Sequence, residues 1–289
     1  MNKKTFILMT ALFGFTSVGA QTAAASQPAG LQPCAAEACA AAHPWRGARV
    51  GFLGDSMTDP KNNSADVPKK YWNYLQEWLG ITPYVYGKSG RQWNDIPRQA
   101  EALKAEHGDS VDAVTVFIGT NDFNAGVPLG RWYDEVTDTV MAAVHGPEKA
   151  YVRKRRTPSM DASTFRGRMN IGISRLKQLF PDRQIVLFTP IHRAAARFGD
   201  TNVQPDESWQ NLCGEYFGAY VEAVKEAAGV WGVPVIDLNA LSGINPMVKE
   251  QQQYFRSPSS DLLHPSDKGQ RRLARTMERQ LFMLPVTLE

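Results

Sequence analysis

Short apolar runs alternate with amphipathic stretches along most of the chain after residue 45. Five runs have the length of β-strands: 49–54, 81–86, 113–118, 185–189 and 233–238. The second run contains Pro83, and proline is unfavourable in a central strand because it cannot donate to the hydrogen-bond ladder.

Four other stretches carry apolar residues on one helical face. The first ends at Gly80 and the second at Pro181, and both residue types commonly stop helices. The stripes are Tyr71, Tyr74, Leu75, Trp78 and Leu79; Phe165, Met169, Ile173, Leu176 and Phe180; Leu212, Tyr216, Ala219, Ala223 and Ala227; and Leu273, Met277 and Leu281. Strands that alternate with helices are typical of βαβ units, so we predict a parallel sheet in a three-layer α/β/α sandwich.

Two segments interrupt this alternation. Residues 145–160 contain four consecutive basic residues, 153–156, and are predicted to form an inserted excursion. The basic run is either a solvated face or a contact for an anionic substrate or polymer. Residues 239–260 form a long connection after the last strand, and connections of this length are usually functional.

The N-terminal residues have the pattern of a secretory signal peptide. Lys3 and Lys4 precede an apolar run at 6–15, and small residues follow up to Ala20. We therefore predict a signal peptide at 1–20 and a secreted or periplasmic location. Residues 21–44 are rich in Ala, Gln and Pro and are predicted to be a flexible linker or tail, with a single domain at 45–289.

Charge and cysteine content exclude some partners. Removal of Lys3 and Lys4, with no acidic residue, lowers the formal net charge from +3 to +1. Such a chain has no electrostatic reason to bind nucleic acid or an anionic membrane, and no later segment resembles a membrane span. Cys34 and Cys39 either close a small disulfide loop, which leaves Cys213 unpaired, or are free thiols in the tail.

Candidate chemistry begins with Ser56, which follows the first strand in the sequence Gly54-Asp55-Ser56. In open α/β sheets, groups that handle ligands lie at the carboxyl ends of the strands, so Ser56 is a candidate nucleophile. Gly-Asp-Ser is also ordinary turn chemistry. The assignment therefore depends on whether other residues supply a base and an oxyanion site.

Asp261 and His264 satisfy part of this requirement. They are three residues apart on a predicted turn, a spacing at which a carboxylate can orient an imidazole. The alternative is that Asp261 closes the turn and His264 only decorates the start of the last helix.

Two further strands end in residues suited to the same crevice. Asn121 follows the third strand, and its side-chain amide is a neutral donor suited to a developing oxyanion. Gly90 follows the second strand, where glycine allows a backbone N–H to approach a ligand closely.

The motifs Gly54-Asp55-Ser56, Gly90, Gly119-Thr120-Asn121-Asp122 and Asp261-Leu262-Leu263-His264 together resemble the SGNH, or GDSL-type, hydrolases. The resemblance covers residues 45–285. It implies a flavodoxin-like fold with a five-stranded parallel sheet in the order 2-1-3-4-5, and ester or thioester hydrolysis without a metal or other cofactor. By position it makes Ser56 the nucleophile, His264 the base and Asp261 its orienting acid. It also implies an oxyanion hole formed by Ser56, Gly90 and Asn121.

The substrate is less sharply indicated. We expect a small-molecule or polysaccharide ester, and we favour carbohydrate O-deacetylation over lipase or short-chain esterase activity. Trp93 and Trp209 are candidate sugar-stacking residues, and His192 is a candidate substrate contact; core packing and a solvated loop are their alternatives. A glycan-binding module without catalysis, or a phosphate or metal loop at 55–59, are competing hypotheses. The second lacks a glycine-rich cradle and a lysine partner.

Overall fold

The computed structural model describes residues 43–143, 145–286 and 288. The predicted signal peptide, Cys34 and Cys39, and nearly all of the predicted linker lie outside the described residues. Cys213 lies within them and is an exposed free thiol. None of the helices in the described part of the chain is both long and apolar enough to cross a membrane.

The described strands and helices begin at residue 49. The strands are β1 (Arg49–Gly54), β2 (Thr82–Val85), β3 (Ala113–Phe117), β4 (Tyr133–Ala142), β5 (Lys149–Pro158), β6 (Gln184–Phe188), β7 (Ala196–Arg197), β8 (Val203–Gln204), β9 (Val235–Ile236), β10 (Phe255–Ser257) and β11 (Asp261–Pro265). The helices are α1 (Tyr71–Leu79), α2 (Ile96–His107), α3 (Thr120–Asn124), α4 (Phe165–Leu179), α5 (Phe217–Trp231), α6 (Leu238–Leu241) and α7 (Asp267–Leu281).

Five parallel strands form the central sheet, in the order β2-β1-β3-β6-β9. If these five strands alone are numbered along the chain, the order is 2-1-3-4-5, as predicted. Pro83 lies in β2, at the edge of the sheet, where a missing N–H is tolerated.

Both faces of the central sheet are apolar because successive side chains of a strand point to opposite sides. In β1, Phe52 belongs to the core on one face and Leu53 to the core on the other. Helices α1 and α7 pack against the first face, and α2, α4 and α5 pack against the second. The predicted three-layer α/β/α sandwich is therefore confirmed.

The third predicted helical stripe is wrong at its start. Helix α5 begins at Phe217, while Leu212 is 91% exposed and Tyr216 is the residue that precedes the helix. The actual buried face contains Phe217, Tyr220 and Val224. Ala223 and Ala227 of the predicted stripe do lie on that face.

The excursion predicted for 145–160 is a long β-hairpin that begins earlier, at 133. Strands β4 and β5 pair only with each other within the described residues, and most of their side chains are exposed. Three of the basic side chains lie near hairpin carboxylates: Lys154 and Arg156 near Glu135, and Arg155 near Asp138. This pairing agrees with the interpretation of the basic run as a solvated face.

A second, antiparallel sheet has the order β10-β11-β7-β8. Its strands are two to five residues long. The connection predicted at 239–260 supplies β10, which pairs with β11. This small sheet carries Asp261 and His264 on β11.

Candidate active site

Ser56 lies directly after β1, at the carboxyl end of the central sheet. Gly54 has a φ angle of 158°, and a Cβ atom there would lie 2.3 Å from the carbonyl oxygen of Phe117 in β3. Glycine is therefore required at the end of the strand. The Asp55 side chain then accepts the N–H of Met57 at 2.9 Å, which holds the turn that presents Ser56.

A continuous hydrogen-bonded chain joins Ser56, His264 and Asp261, the triad. Ser56 Oγ lies 2.9 Å from His264 Nε2, and His264 Nδ1 lies 2.9 Å from Asp261 Oδ2. The other carboxylate oxygen, Asp261 Oδ1, accepts the backbone N–H groups of Leu263 and His264 at 3.2 and 2.9 Å. The sequence thus placed a hydroxyl, an imidazole and a carboxylate in the geometry that nucleophilic catalysis requires.

Burial strongly affects the protonation of His264 and Asp261. It lowers the pKa of His264 below its ordinary value, and the hydrogen bond and charge of Asp261 only partly oppose this effect. Burial raises the pKa of Asp261, but hydrogen bonds and charge from His264 outweigh it and leave that pKa below its ordinary value. A neutral imidazole beside a carboxylate can accept the proton of the Ser56 hydroxyl near neutral pH.

Asn121 and Gly90 line the same cavity as the triad. Asn121 lies in α3, which follows β3, and its Nδ2 donates to the carbonyl oxygen of Arg91 at 3.0 Å. Gly90 has a φ angle of 77°, a left-handed conformation that favours glycine. The ends of three neighbouring strands therefore meet where the sequence predicted.

Two carboxylates hold the loop that carries Gly90. Asp59 accepts the backbone N–H and the hydroxyl of Ser89 at 2.8 and 2.7 Å. On the other side of the loop, Asp122 accepts the backbone N–H of Trp93 at 3.1 Å, and burial raises its pKa to about 6. Neither Asp59 nor Asp122 has a role predicted from the sequence, although Asp59 lies just after Ser56 and Asp122 belongs to the motif at 119–122.

Lys70 is fully buried beneath Ser56. Its Nζ donates to the backbone carbonyl oxygen of Ser56 at 3.0 Å, and Asn62 Nδ2 donates to the same oxygen at 2.9 Å. Burial lowers the pKa of Lys70 to about 7. Lys70 is not predictable from the sequence, because the hydrophobic pattern does not distinguish a buried lysine before a helix from a solvated one.

The cavity above the triad has a volume of about 450 Å³, and most of the residues that line it carry polar side chains. Its polar lining includes Asn62, Arg197, Asn202, Gln204, Arg256 and Ser260. The apolar side chains in the lining are Phe198 and Leu263. The Phe198 ring lies 5.3 Å from the His264 ring between centroids, so it is the aromatic residue that neighbours the triad.

The structure does not place Trp93, Trp209 or His192 in the cavity lining. Trp93 is 1% exposed and packs in the core between the sheet and its helices, so its ring has no free face for a sugar. The predicted sugar contact is corrected on this ground. Trp209 is exposed elsewhere, and His192 Nδ1 lies 2.6 Å from Glu207 Oε1, an interaction that raises the pKa of His192.

The described residues contain no group of three or more His, Cys, Asp or Glu side chains that could hold a metal ion. The loop at 55–59, considered above as a phosphate or metal site, instead carries Asp55 and Asp59. Their oxygens accept hydrogen bonds from neighbouring backbone N–H groups and from Ser89.

The family of the chain follows from its similarity to known sequences. Residues 52–272 match the model of the GDSL-like lipase/acylhydrolase family. The chain belongs to this family. It is therefore assigned to the carboxylic ester hydrolases, in agreement with the resemblance drawn from its motifs. No curated protein matches the chain significantly.

Solved structures that match the fold of this chain include proteins from several bacteria. A protein from Lactobacillus plantarum is 21% identical, with a TM-score of 0.63 over 83% of this chain and 98% of that chain. A "possible lipase" from Chitinophaga pinensis is 23% identical, with a TM-score of 0.58 over 82% and 98%. A member of the lipolytic protein G-D-S-L family from Veillonella parvula is 14% identical, with a TM-score of 0.50 over 80% and 96%. At such identities the likeness shows a shared fold.

Proposed function

We propose that this GDSL hydrolase is a secreted or periplasmic serine esterase that removes acetyl groups from carbohydrate. The observation that carries the proposal is the hydrogen-bonded series Ser56, His264 and Asp261, which opens into a cavity lined mostly by polar residues. The N-terminal signal pattern supports action outside the cytoplasm, where glycans are available as substrates.

Each member of the site takes a role in acyl transfer. Ser56 Oγ attacks the ester carbonyl while His264 Nε2 accepts its proton, and Asp261 stabilises the resulting imidazolium. The backbone N–H groups of Ser56 and Gly90 and the Asn121 amide stabilise the oxyanion. His264 then protonates the leaving alcohol, and water repeats the sequence on the acyl-enzyme to release the acid and free Ser56.

The cavity favours a short acyl group and a hydroxyl-rich alcohol. A long acyl chain would lie against polar side chains such as Asn202, Gln204 and Arg256, where it would gain little from burial. The same side chains provide donors and acceptors for sugar hydroxyls. Phe198 supplies one aromatic face next to the triad.

Two alternatives remain distinct in their outcomes. Lipase or short-chain esterase activity is the runner-up, and the lipase alternative would require a longer apolar binding surface than the described cavity provides. A glycan-binding module would not need the ordered bond between Ser56 and His264.

Release of acetate from acetylated glycans, compared with hydrolysis of nitrophenyl esters of increasing acyl length, tests the substrate. We expect acetate release and a steep loss of rate beyond short acyl chains. Efficient cleavage of medium-chain esters with no acetate release would contradict the proposal. Labelling by a fluorophosphonate probe, retained in chelator and lost in Ser56→Ala, tests the serine mechanism; an unlabelled wild-type protein would exclude it.

A further inference from the structure

Two arginines enter the active-site cavity from opposite sides of the strand that carries the triad's base and acid. Strand β11 lies between β10 and β7 in the small sheet. Arg256 lies in β10 and Arg197 lies in β7, and both line the cavity that contains Ser56. Neither residue is used in the mechanism above.

Arg256 is held in place without a carboxylate partner. Its Nη1 donates to the side-chain oxygen of Asn62 at 3.0 Å, and its Nη2 donates to the backbone carbonyl oxygen of Asn62. Its Nε is buried and has no hydrogen-bond partner among the described residues. These contacts use two of the five N–H groups of the guanidinium, so donors remain for a further acceptor.

Arg197 is more exposed and weakly paired. Its Nη1 lies 3.5 Å from a carboxylate oxygen of Asp200, which is fully exposed to solvent. Ion pairs of this kind contribute little and exchange readily with other anions. The backbone of Arg197 is fixed, because its N–H donates to Ser260 at 2.8 Å.

The cavity therefore carries positive charge that its own residues do not balance. Asp261 is the carboxylate in the lining, and its oxygens already accept hydrogen bonds from His264 and from two backbone N–H groups. A partly buried charge without a counterion is unfavourable, and a ligand anion would relieve this cost.

We propose that the alcohol portion of the substrate carries a carboxylate, as in an acetylated uronic acid, and that Arg256 and Arg197 form the subsite that binds it. This inference rests on the proposed deacetylase function and specifies its substrate class. The planar guanidinium matches a carboxylate in bidentate geometry, and the arginine pair would place the ester relative to Ser56.

A matched pair of substrates tests the inference. Acetylated oligogalacturonate and its carboxyl-reduced counterpart present the same ester with and without the carboxylate. We expect kcat/KM for acetate release to be roughly 10- to 100-fold higher for the acidic substrate, in line with hydrogen bonds between charged groups. The advantage should shrink as salt is added, because salt screens the attraction. Equal values for both substrates would overturn the inference and leave the deacetylase proposal intact. If neither substrate released acetate, the result would instead count against the proposed function.

Substitution of the arginines separates recognition from structural support. In Arg197→Met, the ratio of kcat/KM between acidic and neutral substrates should fall by about tenfold, mainly through a higher KM for the acidic one. Arg256→Met should lower the same ratio. Because Arg256 also holds Asn62 beneath Ser56, a purely structural role would lower kcat equally for both substrates and would contradict the inference for this residue.

Arg155→Met provides the matched control, since Arg155 lies on the hairpin beside Asp138 and outside the cavity lining. The ratio should be unchanged in this variant. Binding of unacetylated galacturonate and galactose to Ser56→Ala, measured by calorimetry, gives a readout that does not depend on turnover. Tighter binding of galacturonate, weakened by Arg197→Met, would support the subsite. Equal binding of the two sugars would overturn it. Tighter binding of a sugar sulfate than of galacturonate would overturn the choice of carboxylate.

Discussion

The two sheets of this protein contribute different halves of the proposed active site. The central parallel sheet is buried on both faces and ends in Ser56, Gly90 and Asn121. The small antiparallel sheet carries His264 and Asp261 on β11, and its other strands have only two or three residues. The proposed nucleophile, Ser56, is therefore positioned by a large core, whereas the proposed base, His264, is positioned by local hydrogen bonds and short strands.

A small sheet of short strands can nevertheless hold its side chains in a fixed position. Asp261 stabilises the backbone of β11, because its Oδ1 accepts the N–H groups of Leu263 and His264, while its Oδ2 lies 2.9 Å from Nδ1 of the His264 ring. One carboxylate thus fixes the backbone of the base and orients its imidazole. The 2.9 Å bond from His264 to Ser56 then joins the two sheets.

The largest expected effect comes from breaking that junction. Ser56→Ala and His264→Ala should each lower kcat by roughly 10⁴-fold or more, because the nucleophile and its base act as one unit. The kcat of the double variant should be close to that of the single variants. Turnover by purified variants checks this, with circular dichroism to show that the fold is kept. Losses that multiply in the double variant would show that the two residues act independently.

Asn121→Ala tests the central sheet alone and should have a smaller effect. Loss of one oxyanion donor typically lowers kcat by about 10²- to 10³-fold, so the variant should retain residual activity above Ser56→Ala. KM should change little if the amide acts mainly in the transition state. Wild-type turnover in Asn121→Ala would remove this residue from the proposed oxyanion hole.

The same difference between the sheets explains what the sequence could predict. Strand β1 was predicted with its observed bounds, because a buried strand in a parallel sheet is a continuous apolar run with a glycine at its end. The order of the central strands followed from the family resemblance. Three of the four strands of the small sheet have only two or three residues, which are too few to show a periodic pattern. The segment from Asp261 to His264, which the sequence predicts to be a turn, instead belongs to the five-residue strand β11.

The roles of some residues in the site could not be predicted from the sequence. Asp261 and His264 were identified because their spacing and residue types have a chemical reason. Lys70, Asn62 and Arg256 have roles that depend on burial and on contacts between residues far apart in the chain, and no local pattern carries that information. Trp93 illustrates the converse, since an aromatic residue near a motif proved to be core.

The pH dependence tests the small sheet through His264. Burial lowers its pKa in the folded protein below the ordinary value of 6.5, so the acid limb of kcat/KM should have its midpoint below pH 6.5. The sign for stability follows from the same shift. The unfolded chain binds the proton more readily, so this contribution to stability is present above pH 6.5 and is lost as the pH falls through the folded pKa.

A pH–rate profile measured with a neutral acetyl ester, together with urea unfolding at several pH values, checks both statements. In the His264→Ala variant, the residual activity should show no acid limb. A midpoint above 6.5 in the wild-type protein would mean that the charge of Asp261 outweighs the effect of burial at His264.

The smallest expected effect comes from Lys70, which supports Ser56 from below without entering the reaction. Lys70→Met removes one of two hydrogen bonds to the Ser56 carbonyl oxygen and removes a charge that lowers the pKa of His264. We expect kcat to fall by less than about tenfold, since Asn62 still holds the same oxygen. The acid limb should move to higher pH, because the loss of the positive charge of Lys70 raises the pKa of His264. Asp261 and Arg256 then remain as the charged groups that face His264. Lys69→Met is the matched control, as Lys69 is half exposed and pairs with Glu77 at the surface. A loss of kcat with no movement of the acid limb would mean that Lys70 only holds the turn that contains Ser56. The central sheet would then not influence the protonation of His264 on the small sheet.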